Sequence, residues 1–371
     1  MLRRKIEKKL NTDNLIIATV HPEFAKSALQ ELQQIDSQIR FVEEMADGIT
    51  LYSVSNSQQF MRRVANQRPT FVRHLAPAQD IVQLANTEQD LGTIAIALAE
   101  LPGFSLLSKG TRFAVQARFV QSDRSLGERP FSTGQLNRAL AEALAEETEA
   151  IEYIKKPEVI ISLLCTMQKC YLGISTPEEN LSSWPGGARH YAQTDDQVSR
   201  AEFKLLEALE VFGITLPDEG RILDLGAAPG GWSRLLLEAG LEVYAVDPAR
   251  LDPRLEQDEA LQHYRGYAED FIEEAIERQV LFDAIVNDMR MDAREAARLL
   301  CRAVLCLHDD GFIVSVFKLP HETLVVDPLR NLKEALRILS TSYGIIQTKQ
   351  LFHNRQEVTV VAAQPIRSRK K

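Results

Sequence analysis

The sequence is poor in cysteine, in aromatic residues and in long hydrophobic runs. Its four cysteines, Cys165, Cys170, Cys301 and Cys306, form no C-x-x-C pair and have no histidine pair nearby, so no metal site is predicted. No apolar run reaches the roughly 18 residues of a membrane-spanning helix, and the charged N-terminus is not followed by the apolar segment of a signal peptide. These absences predict a cytoplasmic protein without a membrane or a metal as a partner.

A net positive charge is also lacking, because 52 acidic residues outnumber 43 basic ones and the formal net charge is −9. A negative total is unusual for a protein that binds nucleic acid, but it does not exclude binding through a local basic patch. Basic residues are concentrated at both ends of the chain, and Arg124 and Arg129 lie in the polar segment 121–130. We interpret the ends as solubilising tails, while the segment stays open between an ordinary surface loop and an RNA contact.

The chain of 371 residues is long enough for two or three domains with their own cores. Residues 1–75 follow the order β-α-β-β-α-β, and a second α+β unit covers 76–180. Proline, glycine and polar residues mark a linker at 181–198. From 199 to 371 strands and helices alternate, which predicts an α/β domain with a mostly parallel sheet and an antiparallel last strand. The strands expected there are 221–226, 242–246, 283–287, 312–317, 345–352 and 357–363.

The first strand of this domain leads into a glycine-rich turn and then into a helix, a unit that binds nucleotides in doubly wound folds. Ala228 replaces the middle glycine of the dinucleotide fingerprint, and Asp224 would repel a pyrophosphate. The same carboxylate suits the cationic amino-acid end of S-adenosylmethionine, which we favour as the cofactor over NAD. The candidate cofactor-binding residues in this stretch are Asp224, Gly226, Ala228, Pro229, Gly230, Gly231 and Trp232.

Acidic residues follow the next strands, at the sheet edge where open parallel sheets bind ligands. Asp247 lies about 20 residues after the turn, where a carboxylate can accept from both ribose hydroxyls. Asp270 is expected near the adenine edge, with Glu269 as a competing choice, and Asp288 follows the strand 283–287. Together these acids predict a nucleoside-binding edge.

Two lysines are found where apolar residues are expected. Lys318 ends the strand 312–317, and Lys204 lies close to the apolar stripe of a helix that we expect to begin with a capping box of Ser199 and Glu202. Lys318 either extends to water or is a desolvated amine with a lowered pKa that acts as a base. With Asp288 and Glu357 the lysines form a candidate set for deprotonating a hydroxyl group.

Five segments of the C-terminal half resemble the FtsJ-like ribose 2′-O-methyltransferases. They are Ser199-Arg-Ala-Glu-Phe-Lys204, Leu223-Asp-Leu-Gly-Ala-Ala-Pro-Gly-Gly-Trp232, Asn287-Asp-Met289, Phe317-Lys-Leu-Pro320 and Arg355-Gln-Glu-Val-Thr-Val360. The resemblance implies a seven-stranded Rossmann-like methyltransferase fold with S-adenosylmethionine as cofactor. It also implies a catalytic set of two lysines and two acids, which falls here on Lys204, Asp288, Lys318 and Glu357.

The resemblance extends to the type that modifies a cytidine ribose of large-subunit ribosomal RNA. For this type the N-terminal half is expected to contain a ferredoxin-like unit and a THUMP-like RNA-binding domain, so RNA is the implied partner. Ala201 stands at a cofactor-proximal position where the family can have serine, and Ala228 stands where it commonly has cysteine. Neither departure removes a charge from the catalytic set.

Other functions can be weighed against this one. Segment 287–290 reads Asn-Asp-Met-Arg, without the proline and aromatic residues typical of base-nitrogen methylation, and no cysteine lies at a strand end as carbon methylation requires. Two alternatives stay open. One is an RNA-binding ribosome-assembly factor with a vestigial cofactor site, and the other is the same chemistry on tRNA.

Overall fold

A computed structural model describes residues 14–120, 129–321 and 326–367. Arg124 and the basic residues before position 14 therefore lie outside the described residues. The chain divides into two compact units, 1–188 and 189–371. Within the described ranges, none of the helices has the length and apolar character needed to cross a membrane.

The elements of the described residues are as follows. The strands are β1 (Leu15–Val20), β2 (Arg40–Ala46), β3 (Ile49–Ser53), β4 (Val72–Pro77), β5 (Asp80–Gln83), β6 (Arg112–Phe119), β7 (Ile151–Glu152), β8 (Val159–Cys165), β9 (Lys169–Ser175), β10 (Arg221–Leu225), β11 (Glu242–Val246), β12 (Leu261–Tyr264), β13 (Phe282–Asn287), β14 (Leu307–Lys318), β15 (Tyr343–Lys349) and β16 (Glu357–Pro365). The helices are α1 (Ala25–Ile35), α2 (Ser57–Gln67), α3 (Gln89–Ala99), α4 (Thr133–Thr148), α5 (Glu202–Phe212), α6 (Gly231–Glu238), α7 (Ala268–Glu277), α8 (Ala293–Ala303) and α9 (Pro328–Leu339).

The first sheet of the N-terminal unit has the strand order β2-β3-β1-β4, and all neighbouring strands are antiparallel. With α1 and α2 it forms the β-α-β-β-α-β order expected from the sequence. Asp47 and Gly48 make the two-residue turn between β2 and β3, and Gly48 has the positive φ of 73° that such turns require.

The second sheet of this unit has the order β5-β9-β8-β6-β7, and α3 and α4 pack on it. Its core includes Phe113, Ile161 and Leu140, each at most 1% exposed. The short strands β5 and β7 were not predicted, because runs of four and two residues are too short for a periodic pattern. The assignment of residues 1–75 and 76–180 to separate named domains stays a prediction.

The C-terminal unit contains a seven-stranded sheet in the order β12-β11-β10-β13-β14-β16-β15. The strands from β12 to β14 are parallel, whereas β16 is antiparallel to both of its neighbours. The predicted α/β class is therefore confirmed. The edge strand β12 was not predicted, because its residues are partly exposed and lack a clear alternation. Strand β14 begins five residues earlier than expected, because polar residues hide the start of its pattern.

The start of α5 differs from the predicted capping box. The carboxylate of Glu202 accepts hydrogen bonds from the backbone N–H groups of Val198 and Ser199, at 2.7 and 3.2 Å. The hydroxyl of Ser199, however, has no hydrogen-bond partner among the described residues, and the helix begins at Glu202 after Ala201. Only half of the box is formed, because the backbone N–H of Glu202 donates to the Ser199 carbonyl at 3.3 Å and not to the Ser199 hydroxyl.

Candidate active site

Four charged side chains from separate segments meet at one edge of the seven-stranded sheet. Asp288 directly follows β13, and Lys318 is the last residue of β14. Glu357 is the first residue of β16 and lies opposite Lys318 in the antiparallel pair. Lys204 reaches the same place from the first turn of α5. The fold therefore brings together all four residues of the predicted catalytic set.

These side chains form a closed ring of alternating charge, here called the charge ring (Lys204, Asp288, Lys318 and Glu357). The Nζ atom of Lys204 lies 3.1 Å from Asp288 Oδ2 and 2.5 Å from Glu357 Oε1. The Nζ atom of Lys318 lies 2.6 Å from Asp288 Oδ1 and also contacts Glu357. The exposed fractions of the four side chains range from 8% to 25%. The ring has no net charge, which is why it tolerates this degree of burial.

The charge ring shifts the pKa values of Lys318 and Glu357. Burial lowers the pKa of Lys318, but the carboxylates of Asp288 and Glu357 outweigh it, so that the pKa is raised above its ordinary value. Burial raises the pKa of Glu357, and the two lysines more than reverse this effect. The idea that Lys318 is a desolvated amine with a lowered pKa is therefore wrong for the ligand-free structure. Its ammonium group keeps its proton at neutral pH.

The glycine-rich turn lies next to the charge ring, because the backbone N–H of Asp288 donates to the carbonyl of Leu225 just before the turn, at 3.2 Å. Gly226 and Gly230 have φ values of 74° and 111°. A Cβ atom at Gly230 would collide with the Leu255 side chain, and one at Gly226 would lie 2.6 Å from a side-chain atom of Met289. The turn therefore needs glycine at both positions, for its conformation and for its close packing.

Asp247 follows β11 and anchors the same turn. Its carboxylate accepts hydrogen bonds from the backbone N–H groups of Ala228, at 3.1 Å, and Ala249, at 2.8 Å. Asp270 lies in the first turn of α7, where its side chain is exposed. Among the described residues, His, Cys, Asp and Glu side chains form no group of three or more that could hold a metal ion.

Comparison with known proteins identifies the segment that carries most of this site. A family model described as FtsJ-like methyltransferase matches residues 197–332, a range that includes α5, the glycine turn, Asp288 and Lys318. This segment is an FtsJ-like methyltransferase domain. The family resemblance inferred from the sequence motifs is thereby confirmed.

Similarity to curated proteins extends beyond the FtsJ-like domain. The chain is 32% identical over 201 residues to the ribosomal RNA large subunit methyltransferase M of Halorhodospira halophila, a match that covers 52% of this chain and 54% of the relative. The chain thus spans about half the length of this relative. It is 25% identical over 367 residues to the protein of the same name from Hahella chejuensis, covering 94% of this chain and 89% of that one. The crystal structure of TrmN from Thermus thermophilus matches with a TM-score of 0.40 and 19% identity, over 94% of this chain and 99% of that chain.

Asp224 occupies a different place in the FtsJ-like domain from the one expected. Its side chain is 1% exposed and accepts a hydrogen bond from the Ser233 hydroxyl at 2.6 Å. Burial raises its pKa to about 7, against the lowering effect of that hydrogen bond and with smaller contributions from Asp288 and Asp247. This hydrogen bond joins β10 to α6, the two elements that flank the turn. A contact between Asp224 and the cofactor's amino group stays a prediction.

Trp232 and Ala201 contact each other. The indole Nε1 of Trp232 donates to the carbonyl oxygen of Ala201 at 2.7 Å, and the indole is 3% exposed. The Trp232 side chain therefore joins α6 to the start of α5, and the roles of Trp232 and Ala201 in cofactor binding stay predictions. Gly231 lies in the same region, because a Cβ atom there would collide with the Ser199 hydroxyl.

Several residues that hold the site in place were not predicted. The Asn287 side chain donates to the Ser315 hydroxyl at 2.8 Å and accepts from the backbone N–H of Met289 at 3.0 Å, which fixes the backbone on both sides of Asp288. The Oε2 atom of Glu207 and the ring nitrogen Nδ1 of His353 are hydrogen-bonded at 2.8 Å. Asn287 was marked in the sequence only as part of the motif Asn287-Asp-Met289, without this structural role, and nothing in the local pattern linked Glu207 to His353, which lies far away in the chain.

Proposed function

We propose that this protein is an S-adenosylmethionine-dependent RNA methyltransferase that modifies the 2′-hydroxyl of a ribose. The observation that carries the proposal is the charge ring of Lys204, Asp288, Lys318 and Glu357 beside the glycine turn of an FtsJ-like domain. A hydroxyl group is a weak nucleophile, so its methylation needs a proton acceptor and fixed charges at the reacting oxygen. The ring supplies both kinds of group within one contact network.

The residues around the turn fit S-adenosylmethionine. The turn is bare of Cβ atoms at Gly226 and Gly230, and it leads into the N-terminus of α6, where backbone N–H groups can bind the carboxylate of the cofactor. Asp247 would accept from the ribose hydroxyls and Asp270 from the adenine side. When bound, the cofactor supplies a methyl group on a positively charged sulfur. NAD fits less well, because the acids at this edge oppose a pyrophosphate.

The Nζ atom of Lys318 is the proposed acceptor of the 2′-hydroxyl proton. It can accept only after it has lost its own proton, and its raised pKa opposes this loss in the ligand-free protein. A positive charge bound beside Asp288 weakens the pull of the carboxylates on Lys318 and so lowers its pKa. Lys204, Asp288 and Glu357 orient the amine, and most of the rate is expected from positioning and electrostatics.

The proposed substrate is a cytidine of large-subunit (23S) ribosomal RNA. Support comes from the relatives named ribosomal RNA large subunit methyltransferase M, two of which match over more than nine-tenths of this chain. Residues 1–75 and 76–180 are proposed as the ferredoxin-like and THUMP-like units that bind the RNA. A ribosomal substrate also implies a cytoplasmic location.

The test is transfer of labelled methyl groups from S-adenosylmethionine to unmodified ribosomal and transfer RNA. We expect label on large-subunit ribosomal RNA with the wild-type protein and a loss of about 10²- to 10⁴-fold with Lys318→Ala, while cofactor binding is retained. Lys333→Ala is the matched control, because Lys333 is an exposed lysine of the same domain unit. Wild-type turnover in Lys318→Ala would refute the role of the lysine. Label on tRNA would move the substrate, and tight RNA binding without any transfer would favour an assembly factor.

A further inference from the structure

Glu207 is a buried carboxylate that the charge ring does not use. It lies one helical turn after Lys204 on α5 and is 2% exposed. Its Oε1 accepts from the backbone N–H of Phe352 at 2.8 Å, and its Oε2 accepts from the backbone N–H of His353 at 2.9 Å. The His353 ring nitrogen Nδ1 is also 2.8 Å from Oε2. A carboxylate withdrawn from water to this extent is stable only because both of its oxygens are bonded.

These bonds fix the segment that leads to Glu357. Residues 350–356 connect β15 to β16, and Glu357 is the first residue of β16. The other part of the segment is held by Asn354, whose Oδ1 accepts from the backbone N–H of Leu351 at 2.9 Å and from the Thr359 hydroxyl at 3.0 Å. Glu207 bonds this segment to α5, and the Phe203 ring of α5 also packs against the His353 ring, with the ring centroids 5.2 Å apart.

Helix α5 and strand β16, which follows this segment, also share a contact of the charge ring. Lys204 from α5 and Glu357 from β16 are 2.5 Å apart, whereas the sheet register alone places only Lys318 opposite Glu357. The distance between α5 and the segment 350–356 therefore decides whether Lys204 reaches Glu357. We propose that Glu207 is a positioning residue for the methyl-transfer reaction, holding this distance through Phe352 and His353. The inference rests on the proposed function.

The test is a double-mutant cycle between Glu207→Gln and Glu357→Gln. Glu207→Gln keeps the shape of the side chain but replaces one acceptor oxygen by an NH₂ group. This NH₂ group cannot accept from the backbone N–H groups of Phe352 and His353, which donate to both oxygens of Glu207. We expect kcat for RNA methylation to fall on the order of 10- to 100-fold, with KM for S-adenosylmethionine unchanged. In the Glu357→Gln background the same change should have little further effect, because the residue that it positions is already lost.

A purely structural role makes different predictions. Tyr343→Phe is the control, because it removes a buried hydrogen bond of the same unit, from the Tyr343 hydroxyl to the Leu300 carbonyl at 2.9 Å, away from the charge ring. We expect this variant to keep its kcat. The inference is overturned if Glu207→Gln loses the same factor in both backgrounds, or if its kcat equals that of Tyr343→Phe.

A second measurement does not depend on activity. Hydrogen exchange at the amides of Phe352 and His353 should be faster by about tenfold or more in Glu207→Gln, because these amides lose a charged acceptor. Unchanged exchange would overturn the inference even if activity falls. If the wild-type protein methylates no RNA, the proposed function fails, whereas the exchange experiment still decides whether Glu207 holds the segment.

Discussion

Removal of Lys318 unbalances the charge ring, and the resulting loss of unfolding free energy follows from the geometry of the ring. Lys318→Met leaves Asp288 and Glu357, whose side chains are 16% and 8% exposed, with Lys204 as their sole partner within the ring. Loss of one partner from a buried ion pair costs about 3–5 kcal/mol. Because the Lys318 side chain is 25% exposed, we expect the lower end of that range, about 3 kcal/mol of unfolding free energy.

A second substitution separates charge balance from activity. Glu357→Gln in the Lys318→Met background removes the unbalanced negative charge and leaves the Lys204–Asp288 pair at 3.1 Å. The double variant should therefore be more stable than the Lys318→Met variant, although both should lose methyl transfer by about 10²-fold or more. Stability is then partly recovered while activity stays lost, which simple misfolding cannot produce.

The assay is urea unfolding followed by tryptophan fluorescence. The chain has two tryptophans, one in each unit, so a Trp184→Phe background leaves Trp232 as the reporter of the C-terminal unit. This separation is needed because two compact units need not unfold in one transition. The reasoning would be refuted if Lys318→Met had the same unfolding free energy as the wild-type protein. It would also be refuted if the loss of unfolding free energy in the double variant equalled the sum of the losses in Lys318→Met and Glu357→Gln.

Two further predictions concern acids near the turn. Asp224 has a folded-state pKa of about 7 against an ordinary value of 3.8, so its contribution to stability is present below pH 3.8 and is lost as the pH rises to about 7. Over this window the unfolding free energy of the wild-type protein should fall, relative to that of Asp224→Asn, by on the order of 4 kcal/mol. This figure is about three pKa units at 1.36 kcal/mol each. The measurement is urea unfolding of both proteins at pH 4 and at pH 8. If the difference in unfolding free energy between the two proteins were the same at pH 4 and pH 8, this would contradict the raised pKa of Asp224. Asp247→Asn should weaken S-adenosylmethionine binding by about tenfold or more in calorimetry, because a charged acceptor for ligand hydroxyls is lost. The control is Asp258→Asn, which changes an exposed acid that also accepts from a backbone N–H and should leave binding unchanged. Equal effects of the two substitutions would refute the role of Asp247.

The elements of the C-terminal unit other than β12 were predictable because its apolar strands are short, buried and separated by polar turns. The convergence of Asp288 and Lys318 followed from one topological fact, that parallel strands end at the same sheet edge. Lys204 and Glu357 were harder, since one lies on a helix and the other begins an antiparallel strand. Lys204 entered the candidate set because it lies close to an apolar helix stripe, and Glu357 because it begins the last strand. The family motifs then implied the same four residues.

Features that depend on tertiary contacts were missed or misread. Asp224 was expected at the open edge because it precedes the turn, yet it points to the hydroxyl of Ser233 on α6. The pKa of Lys318 could not be read from its apolar strand, because the sign of the shift depends on two carboxylates that reach it through folding. The bond between Glu207 and His353 joins residues 146 positions apart, beyond the reach of any local pattern.

The most direct test of the central claim is the chemical position of the transferred methyl group. Large-subunit ribosomal RNA labelled by the wild-type protein would be hydrolysed in alkali, which cleaves only after a free 2′-hydroxyl. A ribose methyl group on cytidine predicts that all label is recovered in one alkali-resistant dinucleotide that begins with cytidine. Label recovered in a mononucleotide would place the methyl group on a base and contradict the role given to the charge ring.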